Sequence, residues 1–326
     1  MKVCIYGAGA IGGFIGTRLA LAGQCELSAV ARGATLTALQ ARGLRLHQDG
    51  QWRDAPVRAH EDPAALGVQD LVVIAVKGPA LAEVASRLAP LVGPQTVVLP
   101  AMNGVPWWFG AGVPALGDPP LASIDPGGRI AAAVPFEAVL GCVVHASTAL
   151  AGPGEVLHQR GAGLIIGEPR GGLSARAERV AGLLRTAGFD TTVSPDVRRD
   201  IWYKLWGNMT MNPISALTGA TVDKVLDDPL TRGLCTAAMA EAAAVGARIG
   251  CVIDQSPEDR HQITRKLGAF KTSMLQDVEA GRAIELDALV TVVQEIARRV
   301  GVATPFIDGL LGLTRVFARQ RGLYPG

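Results

Sequence analysis

The sequence predicts an α/β fold, with an N-terminal Rossmann-type parallel sheet domain followed by an all-helical C-terminal domain. Short β-like runs alternate with helix-like segments through the first half, which is typical of a parallel sheet covered on both faces. A glycine-rich turn separates the first strand from the first helix. Beyond Ser194, apolar residues recur at intervals of three and four, which indicates helices. The predicted domains are therefore residues 1–194 and 195–326.

Composition narrows the class of protein. The 326 residues are 49% hydrophobic and 18% charged, enough to bury a sizeable core. The net charge is 31 minus 29, or +2, which gives no electrostatic reason to expect nucleic acid or a membrane as partner. The 5 cysteines are scattered and form no Cys-x-x-Cys pair, so we expect neither a disulfide framework nor a metal site. We expect a soluble, cytoplasmic protein.

The elements of the first half follow from these patterns. Strands are predicted at Val3–Tyr6, Leu27–Ala31, Leu71–Val76, Thr96–Pro100 and Val139–His145. Helices are predicted at Ile11–Ala22, Pro79–Leu91 and Ser174–Ala187. Six prolines disfavour a regular helix in residues 106–135 and indicate a long loop. A hairpin is predicted from Glu155–Gln159 to Leu164–Gly167.

The glycine-rich turn has the spacing of a dinucleotide site. It reads G-x-G-x-x-G directly after a strand and opens a helix, which is the context that gives this pattern its meaning. The first glycine permits a tight turn, the second lets the backbone approach a pyrophosphate, and the third lets helix and strand pack closely. We therefore expect cofactor contacts from Gly7, Ala8, Gly9, Ala10, Ile11 and Gly12.

The end of the second predicted strand bears on the cofactor. An NAD site usually has an acidic residue there, which accepts a hydrogen bond from the ribose 2′-hydroxyl. The sequence instead reads Val30-Ala31-Arg32-Gly33, and a guanidinium matches a 2′-phosphate. Arg32 therefore favours NADP(H), while the alternative is an arginine solvated in a loop.

A polar row is predicted in the helical domain. Lys204, Asn208 and Asn212 are spaced by four and lie on one helix face, among large apolar neighbours. Because burial disfavours the ammonium form, such a lysine can donate a proton near neutral pH. The alternative is a lysine whose stem merely covers apolar surface. Glu285 follows Gly281 near the start of another helix, where an acid could simply complement the helix dipole.

Together these segments resemble the ketopantoate reductase (2-dehydropantoate 2-reductase) family. Five motifs stand in the family's order: Gly7–Gly12 with Arg32, Val76-Lys77, Met102-Asn103-Gly104, Trp202-Tyr203-Lys204 through Asn212-Pro213, and Ser273-Met274-Leu275-Gln276-Asp277 through Glu285. The resemblance implies a Rossmann domain, a helical domain, an active site in the cleft between them, and reduction of an α-keto acid by NADPH.

The resemblance also implies roles for individual residues. Lys204 would be the catalytic acid that protonates the carbonyl oxygen as hydride arrives. Asn208, Asn212 and Ser273 would bind the substrate. The resemblance places the remaining residues on the cofactor side: Lys77, Asn103 and Glu285.

Two departures from the family pattern stand out. Some ketopantoate-processing members carry a further asparagine where this chain reads Ala220-Thr221-Val222. The run Val105-Pro106-Trp107-Trp108-Phe109 is more aromatic than in compact members, and could narrow the substrate space or serve as a lid. Two alternatives therefore remain, a paralogue that reduces another 2-oxo or 3-oxo acid and a non-catalytic NADP(H) sensor. The sequence does not determine the oligomeric state, and a homodimer is one candidate.

Overall fold

The computed structural model describes residues 1–325. It divides into two compact units. Residues Met1–Asn103 and Gly128–Asp200 form the first, while Gly104–Gly127 and the chain from Ile201 onward form the second. The proline-rich segment 104–127 therefore packs with the helical part of the chain.

The first unit contains all the strands of the described residues and the first helices. In chain order the strands are β1 (Lys2–Tyr6), β2 (Glu26–Val30), β3 (Leu44–Gln48), β4 (Gln51–Ala55), β5 (Arg58–His60), β6 (Leu71–Ile74), β7 (Val97–Pro100), β8 (Gly141–Gly152), β9 (Glu155–Gly167) and β10 (Asp190–Ser194). The helices are α1 (Ala10–Ala22), α2 (Gly33–Arg42), α3 (Leu81–Ser86), α4 (Arg129–Ala133) and α5 (Ala175–Thr186).

The predicted parallel sheet is confirmed. Its strand order is β5-β2-β1-β6-β7, and each neighbouring pair is parallel. Strands β6 and β7 are buried along their whole length, as expected for strands covered on both faces. The predicted helix Pro79–Leu91 is instead broken into two short 3-10 turns around α3.

A second, mixed sheet was not predicted. Strands β10, β9, β3 and β4 lie side by side in it, and β8 pairs with β9 in an antiparallel hairpin. The prediction of a hairpin turning at residues 160–163 is wrong, because β9 runs unbroken through them. The turn lies instead at Pro153-Gly154, where Gly154 has a positive φ of 72°.

Helix α1 lies between the two sheets. A Cβ at Gly16 would stand 3.0 Å from Ile5 Cγ1 on β1 and 3.0 Å from Leu44 Cδ1 on β3. Both faces of the helix are therefore apolar and close-packed, with Phe14 and Ile15 almost fully buried. This packing fixes the start of α1, where the glycine turn lies.

The second unit is helical. Its helices are α6 (Val197–Thr218, whose first residues belong to the first unit), α7 (Val222–Asp227), α8 (Pro229–Arg248), α9 (Pro257–Arg265), α10 (Ser273–Glu279), α11 (Val292–Val300) and α12 (Pro305–Gln320). A π-helical segment, Asp287–Thr291, leads directly into α11. Within the described residues, no helix combines the length and apolar character needed to span a bilayer.

Candidate functional site

The glycine turn between β1 and α1 can accept only glycine at two of its positions. Gly7 has a φ of 95°, and a Cβ there would stand 2.5 Å from Val76 Cγ1. A Cβ at Gly12 would stand 2.0 Å from the carbonyl oxygen of Gly7. The inner side of the turn is therefore closed by a side chain at Gly7 and by backbone at Gly12.

Gly9 differs from these two glycines, because it faces open space. Apart from Gly9 and its chain neighbours, no atom of residues 1–325 lies within 4 Å of the place where its Cβ would stand, and none of their side chains caps the helix that begins after it. The first N–H groups of α1 are thus presented with nothing over Gly9. This is the arrangement in which a helix start can receive a phosphate. Around it, Ala8 is buried while Ala10 and Ile11 are half-buried.

A cavity of about 480 Å³ opens over this turn. Its lining includes the glycine turn, the end of β2, α3 as far as its C-cap, and the tip of the β8–β9 hairpin. The lining residues are Tyr6, Gly7, Ala8, Gly9, Val30, Ala31, Arg32, Thr35, Glu61, Val76, Ala80, Glu83, Val84, Arg87, Leu150, Gly152, Pro153 and Gly154. The cavity therefore joins the turn to Arg32, as the sequence predicts for one nucleotide site.

Arg32 is not isolated in this cavity. Its Nη1 lies 2.9 Å from Glu83 Oε1, and the two side chains are 68% and 53% exposed. Arg87 and Glu61 also line the cavity. Neither Glu83 nor Arg87 belongs to a recognisable motif, so reasoning from spacing missed both of them.

Lys77 and Asn103 follow neighbouring strands. Lys77 comes shortly after β6, and Asn103 shortly after β7. The register of these parallel strands pairs Ile74 with Pro100, so both residues leave the carboxyl edge of the sheet side by side. This is the edge at which open parallel sheets bind their ligands. Both residues are half-buried.

Helix α6 holds the predicted polar row, and its opposite face is fixed. Trp202 Nε1 donates to Ala242 O at 3.2 Å and Trp206 Nε1 donates to Met239 O at 2.7 Å, both on α8. Lys204 lies about 200° around the helix from Trp202, because each residue advances about 100°. The two indole anchors therefore set which way Lys204 points.

The polar row becomes more buried toward its C-terminal end. Lys204 and Asn208 are half-buried, while Asn212 is 5% exposed. Nevertheless, the Asn212 side-chain amide makes no hydrogen bond within residues 1–325. The amide is also not completely enclosed by protein. An amide in this position can still bind a ligand, since buried polar groups are normally satisfied.

Ser273 and Glu285 lie at the two ends of the α10 region. Ser273 begins α10 and is exposed, next to Thr272, whose hydroxyl accepts from Leu275 N at 3.2 Å. Glu285 is half-buried just before the π-helical segment. In that segment, Ala288 O accepts a hydrogen bond from Val105 N at 2.8 Å. Val105, which directly follows Gly104, is therefore hydrogen-bonded to a residue three positions after Glu285.

The aromatic run of the proline-rich segment is a core element. Trp107, Trp108 and Phe109 are only 4%, 2% and 0% exposed. The Phe109 ring stacks on Trp202 with ring centroids 6.0 Å apart. This burial does not fit the expectation that the run acts as a lid. Its role is to support the N-terminal part of α6.

Comparisons with known proteins identify the family of the chain. Residues 3–113 match the family described as Ketopantoate reductase PanE/ApbA, and residues 196–318 match its C-terminal counterpart. The chain is 45% identical to the 2-dehydropantoate 2-reductase of Mesorhizobium japonicum, over 99% of this chain and 100% of that protein. The chain belongs to the ketopantoate reductase family. It is an oxidoreductase acting on CH–OH groups.

Solved structures share the fold of this ketopantoate reductase family member. A crystal structure from Ralstonia solanacearum MolK2, described as a ketopantoate reductase, is 57% identical with a TM-score of 0.94, covering 99% of each chain. D-mandelate dehydrogenase in a ternary structure with NADH and anilino(oxo)acetate is 22% identical with a TM-score of 0.84, covering 99% of this chain and 100% of that chain. The latter likeness concerns the fold alone.

Proposed function

We propose that this protein reduces the ketone of 2-dehydropantoate with NADPH and that Lys204 is the general acid. The observation that carries the proposal is the polar row of α6. Two indole hydrogen bonds hold this helix in place, and the row ends in an amide with no hydrogen-bond partner among residues 1–325. A row of this kind suits a substrate with a carboxylate and a carbonyl oxygen. We assign cofactor binding to residues 1–194 and catalysis to residues 195–326.

The residues of the first unit fit a bound NADPH. The open side of Gly9 leaves room for a pyrophosphate, and the cavity extends from there to Arg32. Gly7 to Gly12 would hold the pyrophosphate, Arg32 the 2′-phosphate, and Lys77 and Asn103 the nicotinamide end. Glu285 belongs to the second unit, and its assignment to the cofactor rests on the family resemblance alone. When bound, NADPH supplies the hydride.

The chain's own residues handle charge and the proton. As the carbonyl carbon is reduced, negative charge develops on its oxygen, and the Lys204 ammonium stabilises that charge and donates the proton. Asn208, Asn212 and Ser273 would hold the oxygens of the substrate by hydrogen bonds. Such positioning lowers the entropic part of the barrier.

A panel of 2-oxo and 3-oxo acids tests the substrate. Ketopantoate should give the highest kcat/KM by NADPH oxidation, and phenylglyoxylate, the keto acid related to mandelate, is the informative competitor. A higher kcat/KM for another acid would identify a paralogue. No turnover with any acid, despite tight NADPH binding, would indicate a sensor and contradict the proposal.

The variant Lys204→Met tests the catalytic role. We expect kcat to fall by about 10²–10⁴, the usual contribution of a general acid, while NADPH affinity stays nearly unchanged. Lys224→Met on α7 is the matched control, since that lysine is exposed and should keep wild-type kcat. Unchanged turnover of Lys204→Met would exclude the role.

A further inference from the structure

The cavity over the glycine turn is lined by two positive and two negative side chains. Arg32 and Arg87 are the cations, and Glu61 and Glu83 are the carboxylates. Their formal charges cancel. A phosphate monoester carries about −1.5 to −2 charges at pH 7, so a neutral set of residues gives it little net attraction. Arg32 is already paired with Glu83 at 2.9 Å, which reduces its attraction for a 2′-phosphate.

The structure assigns two further residues to this discrimination. We propose that Arg87 supplies a second cation for the 2′-phosphate and that Glu83 opposes phosphate binding. Arg32 must break its ion pair with Glu83 when the phosphate binds. This rests on the proposed use of NADPH. In the pair as it stands, Glu83 holds the Arg32 guanidinium within the cavity lining while lowering its attraction for an anion.

The positions of these side chains support the assignment. Glu83 and Arg87 stand four residues apart on α3 and its C-cap, so they share one face of that helix. Arg87 Nη2 donates to the backbone oxygen of Glu61 at 3.2 Å, which holds the guanidinium against the cavity wall. Three of the four charged side chains, Arg87, Glu83 and Arg32, act on the hydroxyl of Tyr6. Burial raises the pKa of its hydroxyl, Arg87 and Arg32 lower it, and Glu83 raises it.

Glu83 is not placed as the acid of an NAD site. Such an acid ends the second strand and accepts from the ribose 2′-hydroxyl. In this chain that position is Arg32, while Glu83 lies on α3. Arg32, and not an acid, therefore stands at the position that contacts the 2′-substituent of the ribose in such sites.

Binding of adenosine fragments tests the inference without turnover. Calorimetric titration with adenosine 2′,5′-bisphosphate and with 5′-AMP isolates the contribution of the 2′-phosphate. Arg87→Gln should weaken the bisphosphate about three- to tenfold and leave 5′-AMP within about twofold. Glu83→Gln should tighten the bisphosphate about two- to fivefold, the range expected for an exposed ion pair, again with 5′-AMP unchanged.

The control is Glu178→Gln, which removes a similarly exposed pair with Arg185 on α5 of the same unit, away from the cavity lining. It should change neither affinity. Equal loss of both fragments in Arg87→Gln, or selective loss of 5′-AMP in Glu83→Gln, would overturn the inference while leaving the cofactor site intact. Failure of the wild-type protein to bind either fragment would instead overturn both the inference and the proposed function.

Discussion

Replacing Glu295 with glutamine should release the proline-rich segment from α11. The Glu295 carboxylate accepts hydrogen bonds from Ala122 N at 2.9 Å, Ser123 N at 2.8 Å and Ser123 Oγ at 2.6 Å. Arg299 lies beside it, 2.6 Å from Oε1. Arg299 also donates to the carbonyl oxygens of Leu116, Pro119 and Pro120. One ion pair on a helix therefore anchors the segment along several residues.

The magnitude follows from these bonds. The Glu295 and Arg299 side chains are only 20% and 22% exposed, so solvent screens the pair weakly. In Glu295→Gln an amide NH₂ replaces one oxygen and faces donors, while Arg299 loses its counter-charge and keeps its carbonyl contacts. Hydrogen bonds to charged groups contribute about 1.5–3 kcal/mol each. Because roughly one to two of these hydrogen bonds are lost, we expect the free energy of unfolding to fall by about 2–4 kcal/mol.

Urea unfolding followed by tryptophan fluorescence measures this change, because Trp107 and Trp108 lie in the same segment. Glu178→Gln, from an ion pair whose side chains are 46% and 55% exposed, should cost less than about 1 kcal/mol. If Glu295→Gln were no more destabilising than Glu178→Gln, the anchoring argument would be refuted.

The same carboxylate predicts a dependence on pH. Burial alone would raise the pKa of Glu295, but the hydrogen bonds from Ser123, Ala122 and Arg299 together outweigh it and leave the pKa below its usual 4.5. A depressed folded-state pKa gives stability above the unfolded-state pKa and loses it as pH falls through the folded-state value. The difference between wild type and Glu295→Gln should therefore shrink below about pH 4.5 and stay constant near neutrality.

Two further substitutions test the packing around the site. Gly12→Ala would place a methyl group 2.0 Å from Gly7 O, so we expect about 1–3 kcal/mol of lost stability and weaker binding of adenosine 2′,5′-bisphosphate; unchanged titration and unfolding curves would contradict this. Phe109→Ala removes the 0%-exposed ring stacked on Trp202 and should cost about 3–5 kcal/mol. Its kcat should also fall, because Trp202 orients the turn that carries Lys204, and a wild-type kcat would exclude that support.

The sequence predicted best where one local pattern and one packing rule suffice. Strand β6 is an unbroken apolar run, and it lies where such a run is expected, inside the parallel sheet. The glycine turn is predictable for the same reason. At both Gly7 and Gly12, neighbouring atoms lie so close that a Cβ would not fit. The i, i+4 spacing likewise placed Lys204, Asn208 and Asn212 on one continuous helix, which runs through Pro213.

The second sheet escaped prediction although one of its turns carries a signal. Strands β3 and β4 are joined at Asp49-Gly50, both with positive φ, and an Asp-Gly pair between alternating residues favours a tight hairpin. The hairpin prediction is wrong because Gly161 and Gly163, which indicate a turn in the sequence, lie within β9. In the structure a Cβ at Gly161 would stand 2.5 Å from His145 O, so that glycine serves a close approach between β8 and β9.

The charges around the candidate nucleotide site depend on contacts that spacing cannot reveal. Arg32 and Glu83 are 51 residues apart in the chain, and only the parallel order β2-β1-β6 brings the segments after their strands to one edge. A motif can therefore identify the phosphate turn, whose geometry is local, but not the balance of charge at the far end of the cavity. That balance decides how strongly Arg32 attracts an anion, because an arginine already paired with a carboxylate must exchange one partner for another. In the proposed site, the discrimination between cofactors therefore depends on the sheet's topology as well as on Arg32, which follows β2.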